Sequence, residues 1–154
     1  MKITLIQIGK TRPKYLEEGI ADFEKRLGRF AKYEVITIQD VKGKYEPEEL
    51  KKREEEKVLD VLGASDYLVL LDENGQQFSS RKFANWMEKK ASTQGTITFL
   101  IGGAYGFSEA MYQRAQAKVS LSSMTYSHQM IRLIFSEQIY RAMTILKGHP
   151  YHND

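Results

Sequence analysis

Hydrophobic residues occur along this chain in short runs that alternate with amphipathic stretches of helical length. The first run, Ile3–Ile8, ends at Gly9, and Pro13 then marks the start of a stretch whose apolar residues recur at helical spacing. Strands separated by helices predict an α/β fold with a mostly parallel sheet of about five strands. The later runs predicted as strands are Tyr33–Ile38, Tyr67–Leu71, Ile97–Ile101 and Lys118–Leu121.

Two local features qualify this pattern. Asn74-Gly75 after the third strand predicts a turn. The stretch Ser127–Leu146 is apolar on more than one face, so the last helix is either deeply buried or packed on another subunit. In a chain of 154 residues the second alternative is favoured, with Ile139 or Met143 expected to face outward.

Small residues follow two successive strands. Gly102-Gly103 opens the loop after Ile97–Ile101, and Ser108 with Glu109 then predicts a helix start. The second loop, Ser122–Ser127, follows the next strand. Because ligands bind at the carboxyl ends of strands in open α/β sheets, this pair of loops predicts a binding site. A branched side chain at Gly103 is expected to enter that site.

Familiar nucleotide-binding and hydrolase signatures do not fit the chain. The glycines at Gly102, Gly103 and Gly106 lack the spacing of a dinucleotide fingerprint, and the acidic residue that should follow is missing. Gly9-Lys10-Thr11 resembles the end of a phosphate loop, but Thr4 stands where that loop needs its first glycine. No G-x-S-x-G motif occurs. The loops alone leave the ligand open.

Composition is that of an ordinary soluble globular protein, with 42% hydrophobic and 28% charged residues. The length predicts one domain, residues 1–154. The absence of cysteine excludes disulfides, thiol nucleophiles and Cys-based metal sites, and only three histidines are present, so no metal cofactor is expected. Without an apolar run long enough for a signal peptide or a membrane span, the expected location is cytoplasmic. A net charge of +3 permits a polyanionic partner without requiring one.

Several separate motifs, in the same order along the chain, resemble one family. It comprises the small SPOUT-class methyltransferases that methylate N3 of a pseudouridine in helix 69 of 23S ribosomal RNA. The similarity extends from the first strand to the C-terminus. The motifs that carry it are Ile6–Lys10, Leu100–Gly106, Leu121–His128, Met130–Arg132, Glu137–Ala142 and His149–His152.

The resemblance implies a homodimer, a trefoil knot in the C-terminal part and S-adenosyl-L-methionine as the cofactor, with S-adenosyl-L-homocysteine as the product. None of these follows from periodicity or spacing. Transferred by position, the cofactor contacts of the family fall on nine residues: Leu71, Gly102, Gly103, Leu121, Ser122, Ser123, Met124, Thr125 and Tyr126.

Candidates for assisting methyl transfer are two arginines, two histidines and a tyrosine. An arginine could stabilise the deprotonated base or hold a phosphate, and a histidine could take the N3 proton. Each also has a structural interpretation, such as an ion pair or a helix cap. The candidates are His128, Arg132, Arg141, Tyr151 and His152.

The N-terminal part is the predicted phosphate-binding surface, because residues 1–44 contain ten Lys or Arg against six Asp or Glu. The residues involved are Lys10, Arg12, Lys14, Lys25, Arg26, Arg29, Lys32, Lys42 and Lys44. The resemblance makes 23S rRNA, in the large subunit or the assembled ribosome, the expected substrate. Two alternatives stay open: a non-catalytic RNA-binding module and a related SPOUT methyltransferase that acts on tRNA.

Overall fold

The computed structural model describes all 154 residues and shows alternating strands and helices. The strands are β1 (Lys2–Ile8), β2 (Lys32–Ile38), β3 (Tyr67–Gln77), β4 (Thr96–Ile101) and β5 (Ala117–Ser120). The helices are α1 (Lys14–Leu27), α2 (Pro47–Val61), α3 (Ser80–Gln94), α4 (Glu109–Arg114) and α5 (Met130–Leu146).

All five strands pair in parallel in the order β2-β1-β4-β3-β5, which confirms the predicted α/β class. The parallel arrangement places the carboxyl ends of the strands at one edge of the sheet. β3 lies between β4 and β5, so the loops after these three strands meet at that edge. The trefoil knot stays a prediction.

Helices cover both faces of the sheet, because the strands are apolar on both sides. On one face, Phe99 of β4 contacts Phe135 of α5 with ring centroids 4.9 Å apart, and α1 and α3 flank α5. On the other face, Val58 of α2 and Met111 of α4 pack on Leu68, Leu70 and Leu100. None of the helices combines the length and apolar character that a bilayer span requires.

β3 is longer than predicted, and the turn expected at Asn74-Gly75 is wrong. The strand bulges after Leu71 and pairs again with β5 at Gln76 and Gln77. Gly75 lies against the backbone of β5, where an added Cβ would be 2.7 Å from the Val119 nitrogen. The glycine therefore permits a close approach of two strands rather than a turn.

α5 begins at Met130, three residues later than predicted, and is buried mainly within its own subunit. Ile139 and Met143 are 0% and 2% exposed, so the expectation that one of them faces outward is wrong. The apolar surface of α5 is covered by the sheet and by its two flanking helices. Its hydrophobicity therefore does not by itself require a partner subunit.

Candidate cofactor cleft

A cleft of about 570 Å³ opens at the carboxyl edge of the sheet, between the loops that follow β3, β4 and β5. This volume lies in the range of small-molecule sites. Its floor is apolar and includes Ile101, Val119 and Ile131. Its walls are the loop residues Leu71–Asn74, Gly102–Phe107 and Leu121–His128, except Ser123.

The wall after β3 carries two carboxylates. Asp72 accepts hydrogen bonds from the Asn74 backbone N–H, at 2.8 Å, and from the Tyr112 hydroxyl. Glu73 accepts a 2.6 Å hydrogen bond from the Thr125 hydroxyl, which links this wall to the loop after β5. Neither carboxylate is paired with a cationic side chain, so the cleft has an uncompensated negative wall.

Tyr112, on α4, holds Asp72 from the side of the cleft. Burial, together with the hydrogen bond to Asp72, raises the pKa of Tyr112 to about 12. The hydroxyl therefore remains protonated at neutral pH and donates to the carboxylate. The Lys118 ammonium group lies over the Tyr112 ring, 5.4 Å from its centroid.

The wall after β4 is a tight loop closed by a 3.1 Å hydrogen bond from the Gly106 N–H to the Gly103 carbonyl. Gly106 has φ +77°, a conformation that favours glycine. An added Cβ at Gly103 would lie 2.9 Å from Glu54 Oε1, and one at Gly102 would meet the Phe107 ring at 3.0 Å. The expectation that a side chain at Gly103 enters the cleft is therefore wrong, because it would point at α2.

The wall after β5 is shaped by its own serines. Ser120 Oγ donates to the Ser122 carbonyl at 2.9 Å, and Ser122 Oγ accepts from the Met124 N–H at 2.9 Å. Ser123 Oγ instead accepts a 2.7 Å bond from the Gln77 side chain on the extended end of β3. Met124 is 80% exposed at the mouth of the cleft.

Eight of the nine residues that the sequence predicted as cofactor contacts lie around this cleft. They are Leu71, Gly102, Gly103, Leu121, Ser122, Met124, Thr125 and Tyr126. Ser123 does not line it, because its side chain is held by Gln77. The sequence interpretation missed the acidic wall and Tyr112, although a carboxylate directly after a buried strand was a signal for Asp72.

Of the five candidates for assisting catalysis, only His128 lines the cleft. Arg132 is 1% exposed and lies behind it, where it bonds to the chain after β1. Its guanidinium donates to the carbonyls of Ile8 (2.7 Å) and Gly9 (2.9 Å). Further bonds reach Thr11 Oγ1 at 3.1 Å and the His128 carbonyl at 3.0 Å.

These contacts indicate that Arg132 has a structural role. Burial lowers its pKa, partly offset by the charge of Asp40, but an arginine stays protonated in proteins. All its hydrogen bonds go to neutral oxygens, four in total, which satisfies the buried charge without an ion pair. The side chain fastens the start of α5 to the end of β1.

The other three candidates form a cluster at the far end of α5. Arg141 binds Glu137 and donates from Nη1 to His152 Nδ1 at 3.1 Å, while the Tyr151 hydroxyl donates to Glu137 at 3.1 Å. Ten helical residues, about 15 Å, separate Arg141 from Ile131 in the floor of the cleft. Within one subunit, this cluster does not reach the cleft.

Arg141 also determines the tautomer of His152. Because a guanidinium only donates, Nδ1 of His152 has to accept, which places the ring proton on Nε2. Nε2 lies 3.0 Å from Asp154 Oδ1, and Arg81 holds the same carboxylate through three contacts of 2.6–3.0 Å. Both ring nitrogens of His152 are thus engaged, and the C-terminus is fixed in place.

Comparison with known proteins assigns the chain to a family. A family model described as "Predicted SPOUT methyltransferase" matches residues 1–152. The chain belongs to the SPOUT methyltransferase family. The match spans both the sheet and the cleft, so all three loops around the cleft are within the family region.

Individual members of this family are similar to the chain over its full length. A protein of Parabacteroides distasonis is 50% identical over 157 residues, covering 100% of both chains. One of Cytophaga hutchinsonii is 49% identical, covering 99% of this chain and 100% of its own, and one of Bacteroides fragilis is 46% identical over 100% of both. Each bears the name "Ribosomal RNA large subunit methyltransferase H".

The cleft residues fit S-adenosyl-L-methionine, the methyl donor implied by the family. Leu121, Ile131 and Val119 offer an apolar surface for an adenine ring, and the hydroxyls and backbone of the loop after β5 offer hydrogen bonds. The unpaired carboxylates of Asp72 and Glu73 suit a ligand that carries a sulfonium and an ammonium group.

Glu54 lies beneath the Gly102–Gly106 loop and is 7% exposed on the inner side of α2. Its carboxylate takes part in no hydrogen bond or ion pair of the protein. Burial, and next the negative charge of Asp40, raise its pKa above the ordinary value. A carboxylate in this position destabilises the folded state once it is ionised.

We therefore predict that Glu54→Gln stabilises the protein at pH 8 but not at pH 4. A raised folded-state pKa gives stability that is present below the unfolded value of about 4.3 and is lost as pH rises through the folded-state pKa. The expected gain at pH 8 is about 2–4 °C, the shift that 1 kcal/mol produces in a chain of this size. Thermal unfolding from pH 4 to pH 8 measures it, with exposed Glu56→Gln as the control. An equal gain at both pH values would contradict the buried-charge explanation.

We predict that Arg132→Met lowers the free energy of unfolding by about 3 kcal/mol or more. The change leaves the Ile8 and Gly9 carbonyls without the guanidinium that they bind. Urea unfolding measures the loss. Arg26→Met, at an exposed arginine paired with Asp22, is expected to leave the midpoint nearly unchanged. If Arg132→Met unfolds at the same urea concentration as the parent protein, the hydrogen bonds of Arg132 do not stabilise the fold.

Proposed function

We propose that this protein transfers a methyl group from S-adenosyl-L-methionine to N3 of a pseudouridine in helix 69 of 23S rRNA. The observation that carries the proposal is a cofactor-sized cleft, in a SPOUT methyltransferase chain, formed by the loops on which the sequence predicted cofactor contacts. The names of relatives that align over the full chain support rRNA of the large subunit as the substrate. The identification of the methylated nucleotide rests on the sequence resemblance.

In this proposal, the cofactor is held by the eight predicted contacts that line the cleft, which are Leu71, Gly102, Gly103, Leu121, Ser122, Met124, Thr125 and Tyr126. When bound, S-adenosyl-L-methionine supplies an activated methyl group together with its leaving group, S-adenosyl-L-homocysteine. The protein has to align the base with that methyl group and remove the N3 proton. No step requires a metal ion.

Two places can supply the group that assists deprotonation. His128 is at the rim of the cleft in the same subunit. The cluster of Arg141, Tyr151 and His152 can take part only from a second subunit, because it lies at the far end of α5. Burial and Glu137 raise the pKa of Tyr151, so its hydroxyl is a donor rather than a base. Arg141 is the group of this cluster that suits an anionic base or a phosphate.

We further propose that residues 1–154 form one catalytic domain that acts as a homodimer in the cytoplasm, where ribosomes are found. Support for a dimer comes from the mouth of the cleft, where Tyr105, Met124 and Tyr126 are 53%, 80% and 39% exposed. Large apolar side chains grouped around a binding site are typical of a surface that another molecule covers. A second subunit seated there with its C-terminal cluster facing the cleft would add that cluster to the site.

The two alternative functions differ in whether they require the cleft. A non-catalytic RNA-binding module has no need of a cofactor-sized cleft with an acidic wall, and the cleft argues against it. A methyltransferase acting on tRNA would need the same cofactor site, so it differs only in its substrate. The relatives' shared name favours rRNA.

We predict that the purified protein transfers labelled methyl groups from S-adenosyl-L-methionine to ribosomes or large subunits, and not to tRNA. Ribosomes should come from cells that lack the corresponding methyltransferase, and nuclease mapping should place the label at a helix 69 pseudouridine. Labelled tRNA would support the alternative of a tRNA methyltransferase. RNA binding without any methyl transfer would support the alternative of a non-catalytic RNA-binding module.

A matched pair of variants tests the cleft in the same assay. Glu73→Gln removes the charge but keeps an oxygen for Thr125, and it should weaken cofactor binding about three- to tenfold in calorimetry. Glu88→Gln, at an exposed position on α3, should bind the cofactor like the parent protein. Equal affinities for both would remove the acidic wall from the proposal.

We predict that the C-terminal cluster acts on the cleft of the other subunit. Arg141→Ala and Leu121→Arg, the first in the cluster and the second in the cleft, should each lower methyl transfer at least about tenfold. Mixing the two variants after partial unfolding should restore up to about a quarter of parent activity, because half of the dimers are then hybrids with one complete site. No recovery, despite hybrids shown by mass spectrometry, would confine the site to one subunit.

A further inference from the structure

The basic residues of the N-terminal part lie at two opposite edges of the sheet. Lys25, Arg29 and Lys32 lie at the amino edge, near the end of α1 and the start of β2. The remaining exposed group lies at the carboxyl edge, beside the cleft, in the loops after β1 and β2 and at the first residue of α1. It consists of Lys10, Arg12, Lys14, Lys42 and Lys44, which we call the basic edge.

The loops after β1 and β2 are adjacent. The Gly9 N–H donates to the Ile38 carbonyl at 2.7 Å, where both strands end. Arg12 Nη2 is 3.5 Å from Asp40 Oδ2, and that arginine side chain is 77% exposed. The four lysines of the basic edge take part in no ion pair within the protein. Five cationic groups therefore share one exposed surface, with a single weak internal pairing.

Gln129 fixes this surface relative to the cleft. Its side-chain oxygen accepts from the Arg12 N–H at 2.9 Å, and its side-chain nitrogen donates to the Lys10 carbonyl at 3.2 Å. Gln129 directly follows His128, which lines the cleft. Arg132 reinforces the connection through its bonds to Ile8, Gly9 and Thr11. The basic loop is thus held at a set distance from the cleft wall.

We propose that the basic edge binds the phosphate backbone of the RNA and that Gln129 is a positioning residue, which sets the register between that backbone and the cleft. The inference rests on the proposed function and specifies how the RNA is held. Flexible, unpaired lysines suit phosphates, which they contact without reading sequence. The position of the edge beside the cleft favours the RNA whose base is methylated over an unrelated acidic protein.

Salt dependence of binding tests the charges. The double variant Lys10→Ala/Lys42→Ala should bind unmodified ribosomes about tenfold more weakly at 100 mM KCl. The slope of log affinity against log salt concentration should fall by about two, one for each lost phosphate contact. Cofactor affinity, measured by calorimetry without RNA, should not change.

A matched double variant, Lys25→Ala/Arg29→Ala, removes two charges from the opposite edge. It should retain at least half of the parent affinity and the parent slope. Equal losses for both double variants would show that only net charge matters and would overturn the proposal. Retained ribosome affinity in Lys10→Ala/Lys42→Ala, with loss of binding to an acidic polypeptide such as polyglutamate, would instead assign the edge to a protein partner.

Gln129→Leu tests the positioning role, because it removes the two hydrogen bonds and leaves every charge in place. We expect KM for ribosomes to rise about three- to tenfold, with kcat and the salt slope nearly unchanged. Gln94→Leu, at an exposed position on α3, should have no effect on KM. A change in the salt slope, or parent kinetics for Gln129→Leu, would contradict the role.

Failure of this proposal can be distinguished from failure of the proposed function. If the parent protein methylates ribosomes and both basic-edge tests give parent values, only the docking surface is wrong. If the parent protein methylates no ribosomal RNA, the proposed function fails first. Binding with the expected salt slope would then still identify a phosphate-binding surface.

Discussion

The attachment of α5 to the end of β1 is the constraint on which the cleft depends. β5 lies at one edge of the sheet, beyond β3 and β4, whereas the start of α5 is fastened to β1 by Arg132. The connecting loop, residues 121–129, therefore has to run along the carboxyl edge of the sheet. Since this loop forms a wall of the cleft, the buried arginine determines the position of that wall although it does not line the cleft.

The two other walls differ in whether their carboxylates have hydrogen-bond partners. After β3, the carboxylates of Asp72 and Glu73 are held by Tyr112 and Thr125, so their charge faces the cleft in a fixed position. Beneath the loop after β4, Glu54 has no such partners, and burial together with the charge of Asp40 raises its pKa. A Cβ at position 103 would point at this carboxylate and not into the cleft.

The C-terminal cluster and the cleft lie at opposite ends of α5, and only association can bring them together. Arg81, Asp154 and Arg141 hold the terminal residues in one place, so a second subunit would meet a defined surface rather than a loose end. The rigid helix between the two sites would then link the cleft of one subunit to the cluster of the other. Catalysis would depend on assembly for geometric reasons, without any change of conformation.

The sequence by itself determined the α/β class, the approximate positions of the five strands and the loops around the cleft, because hydrophobic period and glycine punctuation are local properties. The family, through motifs spread over the chain, followed from sequence too. Tertiary structure alone decided that Gly75 lies within β3, that Ile139 is buried and that Arg132 binds the end of β1. These depend on which segments pack together, and a residue such as Arg132 carries the same sequence signal whether it binds a phosphate or a buried carbonyl.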